Sequence, residues 1–501
     1  MSEGITISTL TEGLDAISVN QIIMLRPTES PIIFIQQLGR GLRKCDGKEY
    51  VVVLDFIGNY TNNFMIPIAL SGDRTYNKDN IRRYVREGAR IIPGASTIHF
   101  DEISRKRIFE SIDKANTSEA RLLRDSYIQL KNKLGRIPTI AEFDEYGYID
   151  VTKIFDKFGS YHNFLVKYER DYNMELSKDE ALIIEFLSTK LAKGKRVQEL
   201  LVLRSLLQQR DRVINYYELL NGFNVGRELP GNASGDTYTN NDSNTRINAA
   251  VKAQGDLNKN HEGLRGSELE RLSVYNVLTN RFPLNKDIKK YGICTFITDT
   301  PSGFMINPVF SRMLENVTFA RKVSEIIDFG IKRYERDYEG AYKDTNMKLY
   351  RKYTYEDVCR LLNWERNMTA LNIGGYFYDK KTKTLPVFIN YDKADDAIAY
   401  HDRFVTESEL VALSKHPRDI TSSDADHFYK RKPEDADNRI FLFVRKNKDD
   451  KEAKEFYFLG EIEACGEPRP ITMEGTNDHA FEIDYRLDVP VREDIYDYIT
   501  K

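Results

Sequence analysis

The sequence predicts a multidomain α/β plus α plus β chain: a short α/β portion, a helical middle region and a C-terminal β-rich, barrel-like domain. Three observations carry this. Near the start, Ile5-Thr6-Ile7-Ser8 alternates like a strand, and Asn20–Pro27 and the apolar Val51-Val52-Val53-Leu54-Asp55-Phe56 are strand-like runs. From about residue 117 the apolar residues recur at helical spacing. From about Tyr353 the pattern changes to period two, with turns rich in Asp, Lys and Asn. These shifts set the expected boundaries at 1–70, 71–116 (a connector), 117–170, 171–345 and 346–501.

The chain has 501 residues, 41% hydrophobic and 30% charged, as expected for packed cores. A net charge of −3 argues against binding by bulk electrostatics but leaves room for local basic faces. No apolar run approaches a membrane span and the N-terminus lacks a signal-peptide pattern, so a cytoplasmic protein without a membrane partner is expected. Cys45, Cys294, Cys359 and Cys465 lie far apart, which suggests neither a zinc site nor a disulfide framework. The 30 Tyr and 26 Phe beside a single Trp are compatible with base stacking, although most such rings are core.

In the first portion, Gln36-Gln37-Leu38-Gly39-Arg40-Gly41-Leu42-Arg43 reads as a short helix with Arg40 and Arg43 on one side. Two guanidiniums aimed together suit a polyphosphate. An exposed helix whose arginines pair with carboxylates reads equally well. The segment follows Thr11-Glu12-Gly13-Leu14-Asp15 and the strand-like Asn20–Pro27. Together these stretches resemble motifs V and VI of superfamily 2 helicases, in their order and at their usual separation. The resemblance implies the end of a second RecA-like lobe. Glu12, Gly13, Asp15 and Gly39 would couple nucleotide state to DNA, and Gln36, Arg40 and Arg43 would be the catalytic glutamine and arginine fingers. Val51–Phe56 would complete the lobe as a buried parallel strand.

ATP and magnesium need a phosphate loop, and no G-x-x-x-x-G-K-[ST] occurs. Ala192-Lys193-Gly194-Lys195 lacks the first glycine and the hydroxyl, and Asp101-Glu102 reads as a helix N-terminus rather than a metal motif. ATP turnover is therefore not expected from this chain alone, and a partner chain carrying a nuclease and the first motor lobe is implied.

Within 117–170, Gly135-Arg136-Ile137-Pro138-Thr139 with Glu142-Phe143, then Phe158-Gly159-Ser160-Tyr161, resembles the small helical repeat that accompanies homing endonucleases. A three-helix connector is the alternative. Leu182, Ile183, Phe186, Leu187 and Leu191 form a packing stripe, and Asn232–Asn244 is a polar loop. Asn285–Phe310 suggests a hairpin wing around Gly292 and Gly303.

In the last domain, strands are expected at Leu371–Phe377, Leu385–Asn390, Ile440–Lys446, Phe456–Ala464 and His479–Leu487. Tyr376, Phe377, Tyr378, Phe388 and Tyr391 cluster beside Asp379. Rings plus a polar edge-reader are what a flipped base requires; a Tyr/Phe β-core with turn Asp residues is the alternative.

Taken in order, these parts resemble superfamily 2 helicases of the DUF3427 type. They also resemble modification-dependent (type IV) restriction proteins, which join a phospholipase-D nuclease, a motor and a reader similar to SRA domains. The nuclease's H-x-K-x-x-x-x-D motif is absent, so the chain is expected to be the C-terminal part of such a system. The resemblance implies binding of double-stranded DNA with modified cytosine. The pocket would be Tyr376, Tyr378, Asp379 and Tyr391, with Arg403 and Arg418 on phosphate.

Overall fold

A computed structural model describes residues 20–24, 34–35, 38–39, 42–55, 63, 65–91, 98–114, 120–147, 149–225, 267–392, 402–447, 454–472 and 478–500. Glu12, Gly13, Asp15, Gln36 and Arg40 lie outside these residues, as does the loop Asn232–Asn244. The described chain mixes helices with one large curled sheet. None of its described helices is long and apolar enough to cross a membrane.

β1 (Gln21–Met24) and β2 (Val52–Asp55) pair in parallel, Ile22 opposite Val53. The parallel pairing matches the sequence, but the expected burial does not. Ile22 and Val53 pack against the core while Ile23, Val52 and Leu54 point outward and are exposed, because the strand alternates two faces and only one is covered.

The helical middle is built from short, individually capped helices. Thr139 and Glu142 form a reciprocal capping box at the start of Ile140–Tyr146, and Ser160 caps Tyr161–Tyr168. The segment 120–168 holds four helices, one more than a three-helix connector. At its centre Arg333, on the long helix Val317–Asp337, donates to Asp150 Oδ1 at 3.0 Å and to Asp144 Oδ1 at 3.2 Å. Burial pushes the Asp150 carboxyl up, but the Arg333 charge and hydrogen bonds to it, with two more from Thr152, hold it down at about 2, below its ordinary 3.8. A depressed carboxylate stabilises the fold fully above its unfolded value and loses that contribution as pH falls through its folded one. Stability measured by denaturant should therefore fall between pH of about 4 and about 2 in the wild type, and Asp150→Asn should flatten that slope. The hairpin expected near Gly303 is present as β3 (Ile297–Thr300) and β4 (Gly303–Ile306).

The C-terminal sheet runs β6 (Thr384–Asp392), β9 (Arg439–Asn447), β10 (Phe456–Thr472), β11 (His479–Leu487), β8 (Glu409–Leu413), β7 (Arg403–Thr406), with β5 (Lys352–Tyr353) also on β10. β6 and β9 are parallel; every other pair is antiparallel. Alternation divides the faces. Phe441, Phe443, Phe456 and Phe458 pack on the helical body, whereas Ile440, Leu442, Val444, Phe481 and Ile483 face a separate core filled by Ile495 and Tyr498 of the last helix, Glu493–Thr500. The sheet curls toward that second core. Its two edge strands meet there, Tyr391 of β6 stacked on Phe404 of β7 with centroids 5.8 Å apart.

Four of the five expected strands are present; Leu371–Phe377 is not one. Thr369 caps a short helix, Ala370–Ile373, and Gly374 and Gly375 both adopt positive φ, so the extended run is broken before Tyr376. Only isolated bridges follow, Tyr376 with Val387 and Asp379 with Thr384.

Candidate nucleic-acid interface

The double glycine releases the chain into a segment, 376–379, whose side chains alternate. Tyr376 and Tyr378 turn into the curl; Phe377 packs on Trp364, centroids 5.5 Å apart, on the other side. Facing the two tyrosines is the helix Ser423–Tyr429, which places Asp424 and His427 three residues apart on one side.

Tyr376 donates its hydroxyl hydrogen to Asp424 Oδ2 at 2.6 Å, and Arg418 Nε donates to the same oxygen at 3.0 Å. Burial, then the Asp424 charge, pushes the Tyr376 phenol up, so it stays protonated and remains the donor. The Lys415 ammonium sits 4.7 Å above the Tyr376 ring, and its own backbone N–H donates to the Tyr376 hydroxyl at 3.2 Å. Burial lowers the Lys415 pKa, against the pull of Asp424 and with the push of Arg418.

A second cluster adjoins it through the same helix. Tyr378 stacks on the His427 imidazole, centroids 4.0 Å apart, and donates to Asn438 Oδ1 at 2.9 Å. Asn438 Nδ2 donates to Asp435 Oδ1 at 3.0 Å, and His427 Nδ1 lies 2.8 Å from that oxygen. The other Asp435 oxygen is buried with no hydrogen-bond partner among the described residues. The arrangement offers two cations and a hydrogen-bonded cluster of Tyr378, Asn438, Asp435 and His427, which suits recognition of an anion and a flat ring.

The structure thus brings Tyr376, Tyr378 and Arg418 together. It does not bring Asp379, Tyr391 or Arg403 to them. Asp379 falls on the opposite side of the alternation, where Oδ2 accepts from the Thr382 N–H and hydroxyl, both at 2.9 Å. Tyr391 belongs to the seam between edge strands, its hydroxyl accepting from the Phe404 N–H at 3.3 Å. Arg403 sits next to inward-facing Phe404 and so points outward, 3.6 Å from Glu482. Of the helicase-like residues, Gly39 and Arg43 are described. Both are exposed, Gly39 with open space around it and the Arg43 carbonyl accepting from Lys48 Nζ at 2.9 Å. Sequence reasoning missed Lys415, Asp424, His427, Asp435 and Asn438. The D-x-x-H spacing of Asp424 and His427 was the signal available.

Residues 347–499 match the family "Domain of unknown function (DUF3427)". The DUF3427 domain therefore contains the whole of this site. Residues 123–226 and 247–337 match "Domain of unknown function (DUF8090)", which runs across the boundary expected at 170. Over 48 residues the chain is 44% identical to "Putative ATP-dependent helicase IRC3" of Saccharomyces cerevisiae; the match covers 10% of this chain and 7% of that protein. Among solved structures, the "DNA modification-dependent restriction endonuclease AspBHI" is similar over 29% of this chain and 77% of that one, at 15% identity and a TM-score of 0.19.

Proposed function

We propose that the chain is the DNA-recognising C-terminal part of an ATP-dependent helicase that serves a modification-dependent restriction system, and that its DUF3427 domain reads modified cytosine in duplex DNA. The observation that carries this is the pairing of cations with rings at one end of the curl: Lys415 and Arg418 around Tyr376, beside the Tyr378–His427 stack. The order of the helicase-like motifs and the short likeness to a protein named as a helicase support the motor half of the reading. In this reading Lys415 and Arg418 hold phosphate, and a modified base takes the place of His427 against Tyr378. The sequence carries no G-x-x-x-x-G-K-[ST] phosphate loop. In this reading ATP would bind only with a first motor lobe supplied by a partner.

Matched duplexes carrying cytosine, 5-methylcytosine or 5-hydroxymethylcytosine, titrated with the full chain at one fixed salt concentration, test the reading. The expected result is a preference of about tenfold, or about 1.4 kcal/mol, for a modified duplex. Tyr378→Ala should remove that preference, and Arg418→Ala should weaken all three duplexes alike. Equal binding to the three duplexes would sink the modified-base reading. It would favour a second one, a repair-type helicase fragment that binds DNA regardless of modification. That reading is supported by the burial of Tyr376 and the imidazole already covering Tyr378.

A further inference from the structure

On the far side of segment 376–379 lies an open cleft of about 890 Å³. One wall comes from residues 281–288 of the DUF8090-matching region and the other from 364–381 of the DUF3427 domain. Its floor is apolar and rigid: Trp364 is buried, with its Nε1–H committed to Thr384 Oγ1 at 2.8 Å, and Phe377 packs against it. Asn367, also on the lining, is buried and keeps its side-chain oxygen without a hydrogen-bond partner among the described residues.

The rim is cationic. Arg281, Lys286, Arg366 and Lys380 are all exposed, and none has a carboxylate partner among the described residues; Arg281 rests on the Tyr275 ring, 5.2 Å from its centroid. The two acids of the lining are already engaged, Glu365 by Lys381 and Asp379 by the Thr382 turn. Four uncompensated cations over an apolar floor, in a chain of net charge −3, mark a local site for a polyanion. Next to the cleft residues Thr369 and Asn372 stands Leu371, 89% exposed, on the short helix that Gly374 ends. An apolar side chain held in water beside a row of cations is the arrangement of a wedge between base steps.

From these features we infer that the cleft is a second DNA contact, in which the four cations grip the phosphates of one strand and Leu371 abuts the bases. This rests on the DNA-binding reading above, but not on the modified-base site, which lies on the other side of the segment. It makes the DUF8090-matching region and the DUF3427 domain joint owners of one ligand.

The test compares the wild-type chain with Lys286→Glu/Lys380→Glu, with Leu371→Ala, and with a control, Lys106→Glu/Arg107→Glu, whose residues are exposed and do not line the cleft. The titrant is an unmodified duplex across a range of salt concentrations. The cleft variant should bind on the order of tenfold or more weaker, with a salt slope smaller by about 2, since each lost phosphate contact removes about 0.9. The control should keep the wild-type slope. Leu371→Ala should keep the slope and lose affinity, and it should abolish any rise in fluorescence of a 2-aminopurine placed in the duplex. An unchanged denaturation midpoint in each variant confirms folding. Wild-type binding with a cleft variant that matches it, or matches the control, overturns the cleft while leaving the DNA reading intact. A wild type that binds no duplex at all overturns both.

Discussion

Replacing Glu199 by alanine should destabilise the chain by about 3–5 kcal/mol, read as a lower denaturant midpoint at unchanged slope. Both members of the Arg196–Glu199 pair are fully buried, with Arg196 Nε donating to Glu199 Oε1 at 2.9 Å. The same guanidinium also donates to Ser273 Oγ and Asn363 Oδ1, each at 3.1 Å, and to the Arg360 carbonyl. It ties the helix Gln198–Gln208 to Glu268–Leu278 and to the turn before Trp364. Burial raises the Glu199 pKa, but the Arg196 and Arg360 charges bring it below the ordinary value, so the pair is ionic. Removing the carboxylate leaves a buried cation whose remaining partners are neutral, and that penalty dominates. Arg196→Met combined with Glu199→Leu should recover much of the loss, because it removes the charge along with its partner. A single-variant cost below about 1 kcal/mol would mean that water reaches the guanidinium.

Gly194→Ala is the second large effect expected. Gly194 has φ +70, and a Cβ there would lie 2.7 Å from the Gly330 carbonyl oxygen and 2.8 Å from the Tyr334 nitrogen. The left-handed backbone alone costs a side chain about 1–2 kcal/mol. The collision is with backbone of the helix Val317–Asp337, which cannot rotate away, so the total should exceed about 3 kcal/mol. Gly135→Ala isolates the two terms: its φ is +67 but nothing lies within 4 Å, and it should lose the conformational part only. Equal losses at the two positions would remove the close-approach argument. The same geometry explains why Ala192-Lys193-Gly194-Lys195 only imitates a phosphate loop. Its glycine serves helix packing, and Lys195 is buried on Asp357 and Glu455, both at 2.6 Å.

The parts of the fold that the sequence disclosed are those where one local signal decides. Period-two runs gave β9 and β11 within a residue at each end. Where two local signals compete, pattern reading failed. The apolar residues at 371, 373 and 377 suit a strand, yet the Thr369 cap and the two glycines make a helix and a turn. β7 and β8 are short, carry charge and lie at or next to an edge, so they have little alternation to detect. The site was legible only in halves. Tyr376, Tyr378 and Arg418 came from a local run of rings and from the family resemblance; the Asp424–His427 spacing marks a helix face, but its placement against them across the curl is long-range.

Asp79 binds the molecule together in a way that its position in the connector conceals. Its buried carboxylate accepts from Lys352 Nζ at 2.7 Å and from the Tyr498 hydroxyl, and Arg83 on the same helix lies 3.6 Å from Asp494. Strand β5 and the last helix, the two ends of the DUF3427 domain, therefore share a partner contributed by residues 78–91. A fragment cut at residue 346 would expose an ammonium and a phenol built to meet a charge that is no longer there. The natural autonomous unit is larger than the family boundary, and residues 78–91 and 347–499 should melt in a single cooperative transition.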